Sequence, residues 1–311
     1  MTNHTSVNEF FLLGITDTQE LELFLFTIFL IIYILTLIGN GAILVIVISD
    51  PRLHSPMYFF LGNLSCLDIL YSTVTLPKVL DNFFSIHKTI SFVGCITQLH
   101  FFHFLGSTEG ILLGVMAFDR FVAICNPLCY MLLMNHQVCL YLAATTWITG
   151  FSYALLHSIM TSRLTFCGSN HIRHFFCDIK PLLELACGNT KLNQWMVETV
   201  TGTIAMGSFF VILLSYFYII SFLLFKSRSC SMLQKALSTC ASHFMVVILL
   251  YVPVAFTYIH PASDSSMDQD RIVAIMYSVV TPILNPLIYT LRNKDVKGAL
   301  NKVIRKKLWS R

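Results

Sequence analysis

Charged residues make up only 12% of this 311-residue chain, so an ionisable side chain inside one of its long apolar runs is conspicuous. Asp68 and Glu109 are two such groups. An ionisable group in hydrocarbon is costly, which makes both functional candidates by default. With polar neighbours they could hold a sodium ion, because hard cations take oxygen ligands. The alternative is that one or both are protonated and hydrogen-bonded, since burial raises a carboxyl pKa. Asp119 and Arg120 form a different pair, at the end of a run. A guanidinium is a planar fork of donors, able to pair with a carboxylate and later to exchange it for backbone carbonyls of a partner. Taken alone, such a pair reads as an Arg snorkelling to the membrane surface. His100 and His103, at i and i+3, and His171 and His174 beside Cys177 have the types of metal ligands. A bridged Cys177 could not serve as a thiolate, which weakens the second set.

These residues require a membrane to position them. The chain is 56% hydrophobic with a mean hydropathy of +0.72, whereas a soluble domain carries roughly 25% charged residues. A helix crossing the ~30 Å hydrocarbon core needs about 20 apolar residues. Seven runs qualify: Leu23 to Ser49, Pro56 to Leu80, Gly94 to Ala117, Val138 to Ser162, Gln194 to Phe225, Ala236 to Ile259 and Ile272 to Leu291. They predict an all-α integral membrane protein, a seven-transmembrane helix bundle forming a single domain over residues 1–311. Residues 1–22 precede the bundle of 23–291, and 292–311 follow it as a tail. Val296, Leu300, Val303, Ile304 and Leu308 recur at helical spacing among Lys and Arg of this tail. That pattern predicts a short amphipathic helix on the inner membrane surface.

Lys and Arg are retained on the cytoplasmic side of short loops. Most of the 20 in this chain fall on the side of the C-terminus, among them Arg52, Arg120, Lys235 and the basic residues from Arg292 onward. The N-terminus is therefore expected outside, in a multi-pass protein of the plasma membrane. Asn3-His4-Thr5 then places a glycosylation acceptor, Asn3, on the lumenal side. No basic region followed by a short apolar core precedes Leu23, so no cleaved signal peptide is expected. The net charge of +4 is concentrated beside the inner leaflet, where anionic lipid attracts it, and does not form a nucleic-acid footprint. Cys95, Cys167, Cys177 and Cys187 map outside the membrane, and four Cys in an oxidising compartment allow three connectivities. Cys66, Cys125, Cys129, Cys139, Cys230 and Cys240 are expected as free thiols. Pro253, Pro282 and Pro286 interrupt the ladders of the last two helices and would kink them.

Several strings resemble a known family. They are Leu53 to Leu61 (LHSPMYFFL), Met116 to Leu128 (MAFDRFVAICNPL), Ser215-Tyr216, Lys235 to His243 (KALSTCASH), Pro282 to Tyr289 (PILNPLIY) and Leu291-Arg292-Asn293. In this order, over residues 39 to 293, they resemble olfactory receptors of the tetrapod-type class, within the rhodopsin-like G-protein-coupled receptors. Phe118 and Phe121 depart from the family's usual Tyr, and Cys129 stands where a basic residue is common. The rings keep their packing bodies, so tuning of basal activity is expected and not loss of coupling.

The resemblance implies a receptor and not an enzyme. Its partners would be a small, mostly apolar volatile odorant and a heterotrimeric G protein of the stimulatory olfactory type, with cyclic AMP as the output. It implies switch roles for Asp119, Arg120, Tyr216, His243, Asn285, Pro286 and Tyr289. It places Asp68 and Glu109 in the bundle interior with Asn40 and Asn285. It pairs Cys95 with Cys177 and Cys167 with Cys187, the first pinning the long loop across the bundle mouth. For the ligand it points to Phe102, His103, Gly106 and Ser107 on the third helix and Thr201 on the fifth. From the sixth and seventh helices it adds Tyr251, Ala255, Tyr258 and Ser278. A transporter or channel with a buried Asp/Glu site is the alternative, but inverted repeats or paired broken segments would be expected of it, and none is visible. A retinal-type photoreceptor would need a Lys in the seventh helix, and Ile272 to Leu291 contains none.

Overall fold

The computed structural model describes residues 7–15, 18–167, 169–226, 230–259 and 266–309. Seven long helices dominate them: α1 (Gln19–Ser49), α2 (Pro56–Phe84), α3 (Phe92–Cys125), α4 (His136–Ser162), α5 (191–226), α6 (Cys230–Ile259) and α7 (266–292). A shorter α8 (Lys294–Trp309) follows. Five of the seven are long and apolar enough to cross a membrane by length and composition. The outer surface is apolar too: Ile48 is 74% and Phe225 92% exposed, which suits lipid and not water. Most of the helices extend beyond the apolar runs that announce them. Their ends leave the hydrocarbon, where charged residues no longer carry a penalty.

Local chemistry sets several helix starts. Pro56 occupies the first turn of α2, where its missing N–H removes a donor that would have no partner. The Ser91 hydroxyl accepts from the Gly94 N–H at 3.1 Å to open α3, and Asn135 Oδ1 accepts from the Val138 N–H at 3.0 Å to open α4. Both are N-caps of the usual kind.

The polar residues of α3 explain its place at the centre, where it packs against α2, α4, α5 and α6. Against it α4 presents a stripe of small side chains at a spacing of four: Thr146, Gly150, Ala154 and Ser158, all buried. Small residues let two backbones approach closely in a membrane. A Cβ on Gly150 would overlap the Thr108 hydroxyl and sit 3.0 Å from the Phe104 carbonyl. The α1–α7 contact is similarly close, since a Cβ on Gly39 would lie 3.1 Å from the Pro286 ring. The first turns of α8 bury Val296 and Ala299 against the bundle.

One feature goes beyond the all-helical expectation. Short strands β1 (Glu9–Leu12), β2 (Thr89–Ser91) and β3 (His171–Ile172) form a sheet in the order β2-β1-β3. β1 pairs antiparallel with β2 and parallel with β3, with Phe10 opposite Ile90 and Phe11 opposite His171. Phe10 is fully buried and packs against Phe92 and Phe166. Strands of two to four residues leave no periodicity to read, and their partners are distant in sequence.

Candidate functional site

Beneath residues 178–180 of the long loop lies a cavity of about 160 Å³. One face of α3 supplies Phe102, His103, Gly106, Ser107 and Gly110, with Tyr71 of α2 and Tyr153 of α4 beside them. α5 contributes Val197, Thr201, Ile204, Ala205 and Ser208. Leu250, Tyr251 and Val254 come from α6 and Tyr277 from α7, while Asp178, Ile179 and Lys180 of the loop close the top. The i, i+3, i+4 spacing gathers the α3 residues on one face. Gly106 opens room there: a Cβ would stand 3.5 Å from the Tyr71 ring. Val197–Thr201 of α5 and Met276–Val280 of α7 are π-helical turns, a distortion frequent at functional sites; the first brings Val197 and Thr201 to the cavity and the second Tyr277. Phe102 is the aromatic hub, with ring centroids 4.5 Å from Phe176, 5.1 Å from Tyr71 and 5.8 Å from Tyr277.

The polar groups of the wall are mostly tied to one another. The Ser208 and Tyr251 hydroxyls are 2.7 Å apart, and Ser208 donates to the Ile204 carbonyl at 2.8 Å. Tyr153 and Thr201 join α4 to α5 through a 2.6 Å contact, and Ser107 donates to the His103 carbonyl at 2.7 Å. At the top, His103 Nε2 meets Asp178 Oδ1 at 3.0 Å, fastening the loop to α3. The same oxygen accepts the Ile179 N–H at 2.6 Å. Burial alone would push the Asp178 carboxyl up. The hydrogen bond and charge of His103, with His174 and the Ile179 N–H, outweigh that and hold it at about 2.

Of the ligand residues expected from the sequence, Phe102, His103, Gly106, Ser107, Thr201 and Tyr251 line this cavity. Ala255 is exposed outside it, and Ser278 is buried with its hydroxyl on the Ala274 carbonyl at 2.6 Å. The Tyr258 side chain and Asn3 lie outside the described residues. Sequence reasoning missed Asp178, Ser208 and Tyr71. Asp178 had a signal, since it directly follows Cys177, the Cys that pins the loop over the mouth.

Further down the bundle, Asn285 donates to both Asp68 oxygens, at 3.0 and 3.1 Å. Asn40 donates to the Pro282 carbonyl at 2.9 Å, satisfying an acceptor that Pro286 leaves without its helical donor. Among the described residues, Glu109 Oε1, Asn285 Oδ1 and the Tyr289 hydroxyl are buried with no partner. At the Arg120 end, buried Asp119 accepts from the Tyr130 hydroxyl at 2.9 Å. Among the described residues Arg120 makes no ion pair. Tyr216 and His243 Nδ1 are 2.7 Å apart, tying α5 to α6.

Two disulfides are present, Cys95–Cys177 and Cys167–Cys187, with Cα atoms 5.4 and 5.7 Å apart. No cluster of three or more His, Cys, Asp or Glu with metal-holding geometry occurs among the described residues. His100 Nδ1 instead faces the Ser158 hydroxyl at 3.1 Å, and His174 Nδ1 accepts from Phe176 N–H at 3.4 Å.

Comparison with known proteins bears on what this arrangement serves. A family model described as olfactory receptor matches residues 29–307. The chain is 74% identical to human Olfactory receptor 12D1 over 309 residues, covering 99% of this chain and 97% of that protein. It is 74% identical to human Olfactory receptor 12D2, covering 98% and 100%, and 46% identical to mouse Olfactory receptor 5M5, covering 99% and 97%. With this likeness over nearly its whole length, a helical bundle with an apolar exterior and two disulfides, the chain belongs to the olfactory receptor family: multi-pass membrane receptors, not enzymes, that answer odorants through G proteins.

Proposed function

We propose that this receptor binds a small, mostly apolar volatile odorant in the cavity between α3, α4, α5, α6 and α7, and signals through a stimulatory G protein of the olfactory type that raises cyclic AMP. The cavity carries the reading. Its wall is chiefly aromatic and aliphatic, with few convergent polar groups, as ligand pockets are. An apolar cavity of ~150 Å³ takes up benzene, so about 160 Å³ suits a molecule of roughly six to ten non-hydrogen atoms by that measure. Each hydrogen bond adds only about 0.5 to 1.5 kcal/mol net. Affinity is then modest and selectivity comes from shape.

Orientation belongs to the same reading. The Lys and Arg distribution puts the cavity mouth and the Asn3 glycan outside, and Arg120 inside the plasma membrane facing the G protein. Asp119 is already held by Tyr130, which leaves the Arg120 guanidinium to donate to a partner's carbonyls. Asp68, Glu109 and Asn285 offer oxygen donors that fit a sodium ion, and Glu109 Oε1 has no other partner among the described residues. A proton shared there satisfies the same oxygens. Either would couple the charge of this layer to the state of the bundle.

The test is a panel of volatiles applied to cells carrying the receptor and a cyclic-AMP reporter. Ala205→Phe, which fills the cavity from α5, should abolish every response at equal surface density. Undiminished responses in that variant would place the ligand elsewhere.

A further inference from the structure

The structure also points to the chemistry of the ligand's polar end, and this rests on the cavity reading just given. At the top of the cavity, Asp178 Oδ1 is fully engaged by His103 Nε2 and the Ile179 N–H. Oδ2 of the same carboxylate accepts from nothing among the described residues, yet Asp178 lines the cavity and keeps 21% of its side chain accessible. By contrast the Ser107, Ser208, Tyr251, Tyr153 and Thr201 hydroxyls all have protein partners. The other wall groups without a described partner are His103 Nδ1 and the Tyr71 hydroxyl. An ionised carboxylate can only accept. His103 gives its Nε2–H to Asp178, while the Tyr71 hydroxyl can both donate and accept.

We propose that Asp178 selects small neutral molecules that carry a hydroxyl, alcohols or phenols, by accepting their O–H at Oδ2. A hydroxyl suits every unengaged group of the wall: it donates to Asp178 and can accept from Tyr71. An ether or ketone cannot donate and would leave the carboxylate oxygen desolvated without a partner, the costlier outcome for a buried polar group. An ammonium could donate, but Lys180 lines the same end and opposes a second cation.

Matched ligands test this on purified receptor in lipid nanodiscs. One series is benzyl alcohol, benzyl methyl ether, benzaldehyde and benzylamine; the other is 1-hexanol, hexyl methyl ether, hexanal and hexylamine. In at least one series the alcohol should bind about tenfold or more tightly than its ether and amine, the scale of a hydrogen bond to a charged group. Asp178→Asn keeps an oxygen for His103 and the Ile179 N–H but turns the unengaged acceptor into a donor. It should erase the alcohol preference and favour the aldehyde. Alcohol and ether within twofold in both series, an unchanged ratio in folded Asp178→Asn, or no alcohol binding at all would overturn the proposal. The wild-type ratios decide it even where the variant fails to fold. Ala205→Phe separates the two readings. If it abolishes binding of all members while the alcohol is not preferred, the cavity stands and the role of Asp178 falls. If it leaves binding intact, the cavity itself is misplaced.

Discussion

Gly150→Ala is a small change with a large expected cost. The added Cβ would overlap the Thr108 hydroxyl, and it would sit 3.0 Å from the Phe104 carbonyl and 3.2 Å from the Ser107 hydroxyl. Thr108 is fully buried and bonded to the Phe104 carbonyl at 2.6 Å, so its side chain has nowhere to turn without losing that bond. A backbone carbonyl on α3 cannot yield alone, and α3 and α4 must move apart. Overpacking costs about 1 to 3 kcal/mol, and with a helix backbone as the obstacle the upper end applies. That is about a hundredfold in the folding equilibrium. Thermal unfolding of purified receptor in nanodiscs should show a clear fall in Tm, with surface expression reduced in parallel. Thr108→Ala in the same background removes the worst overlap and should recover part of the loss, so the double-mutant cycle should show coupling of about 1 kcal/mol or more. An unchanged Tm in Gly150→Ala, or strict additivity with Thr108→Ala, would refute the close α3–α4 approach.

Cys95→Ser and Cys177→Ser should fail alike in surface delivery, and the double variant should be little worse, since either change opens the same bridge. The chain-entropy limit is about 4.5 kcal/mol for this 82-residue separation against about 3.3 for the 20-residue separation of Cys167 and Cys187. Loss of the second, exposed bridge should therefore be better tolerated, and the reverse ranking would count against the argument. Arg120→Ala should leave ligand binding measurable while cyclic-AMP output falls at least about tenfold at equal surface density; an unchanged response would remove Arg120 from the mechanism. Burial lowers the buried His174 of the long loop from 6.5 to about 4, with Arg271 adding to this and Asp178 opposing it. The unfolded chain thus takes up a proton below pH 6.5 that the folded loop refuses until about pH 4. Stability is complete above 6.5 and should fall by about 2 kcal/mol between pH 7 and pH 5. A His174→Asn receptor should show a flatter Tm profile over that interval, and identical profiles would refute the assignment.

Residue order by itself determined the solvent, the number of helices and the family. Hydrocarbon tolerates only apolar runs of spanning length, and that requirement is written in composition and spacing. The i, i+3, i+4 set from Phe102 to Ser107 was legible for the same reason, because one helix face is a local property. What the order of residues did not reveal is where faces of different helices and loops converge. Asp178 reaches the cavity because Cys177, beside it, is bonded to Cys95 at the top of α3, and its charge is held there by a histidine 75 residues away. Ser208 joins the site because it meets Tyr251 across two helices, while Ser278 and Ala255, at plausible positions, fall outside the wall. The Phe10 strand is paired by segments distant in sequence. Each depends on separations and rotations between elements, set by small contacts such as Gly150 against Thr108, and such contacts exist only once the helices are packed.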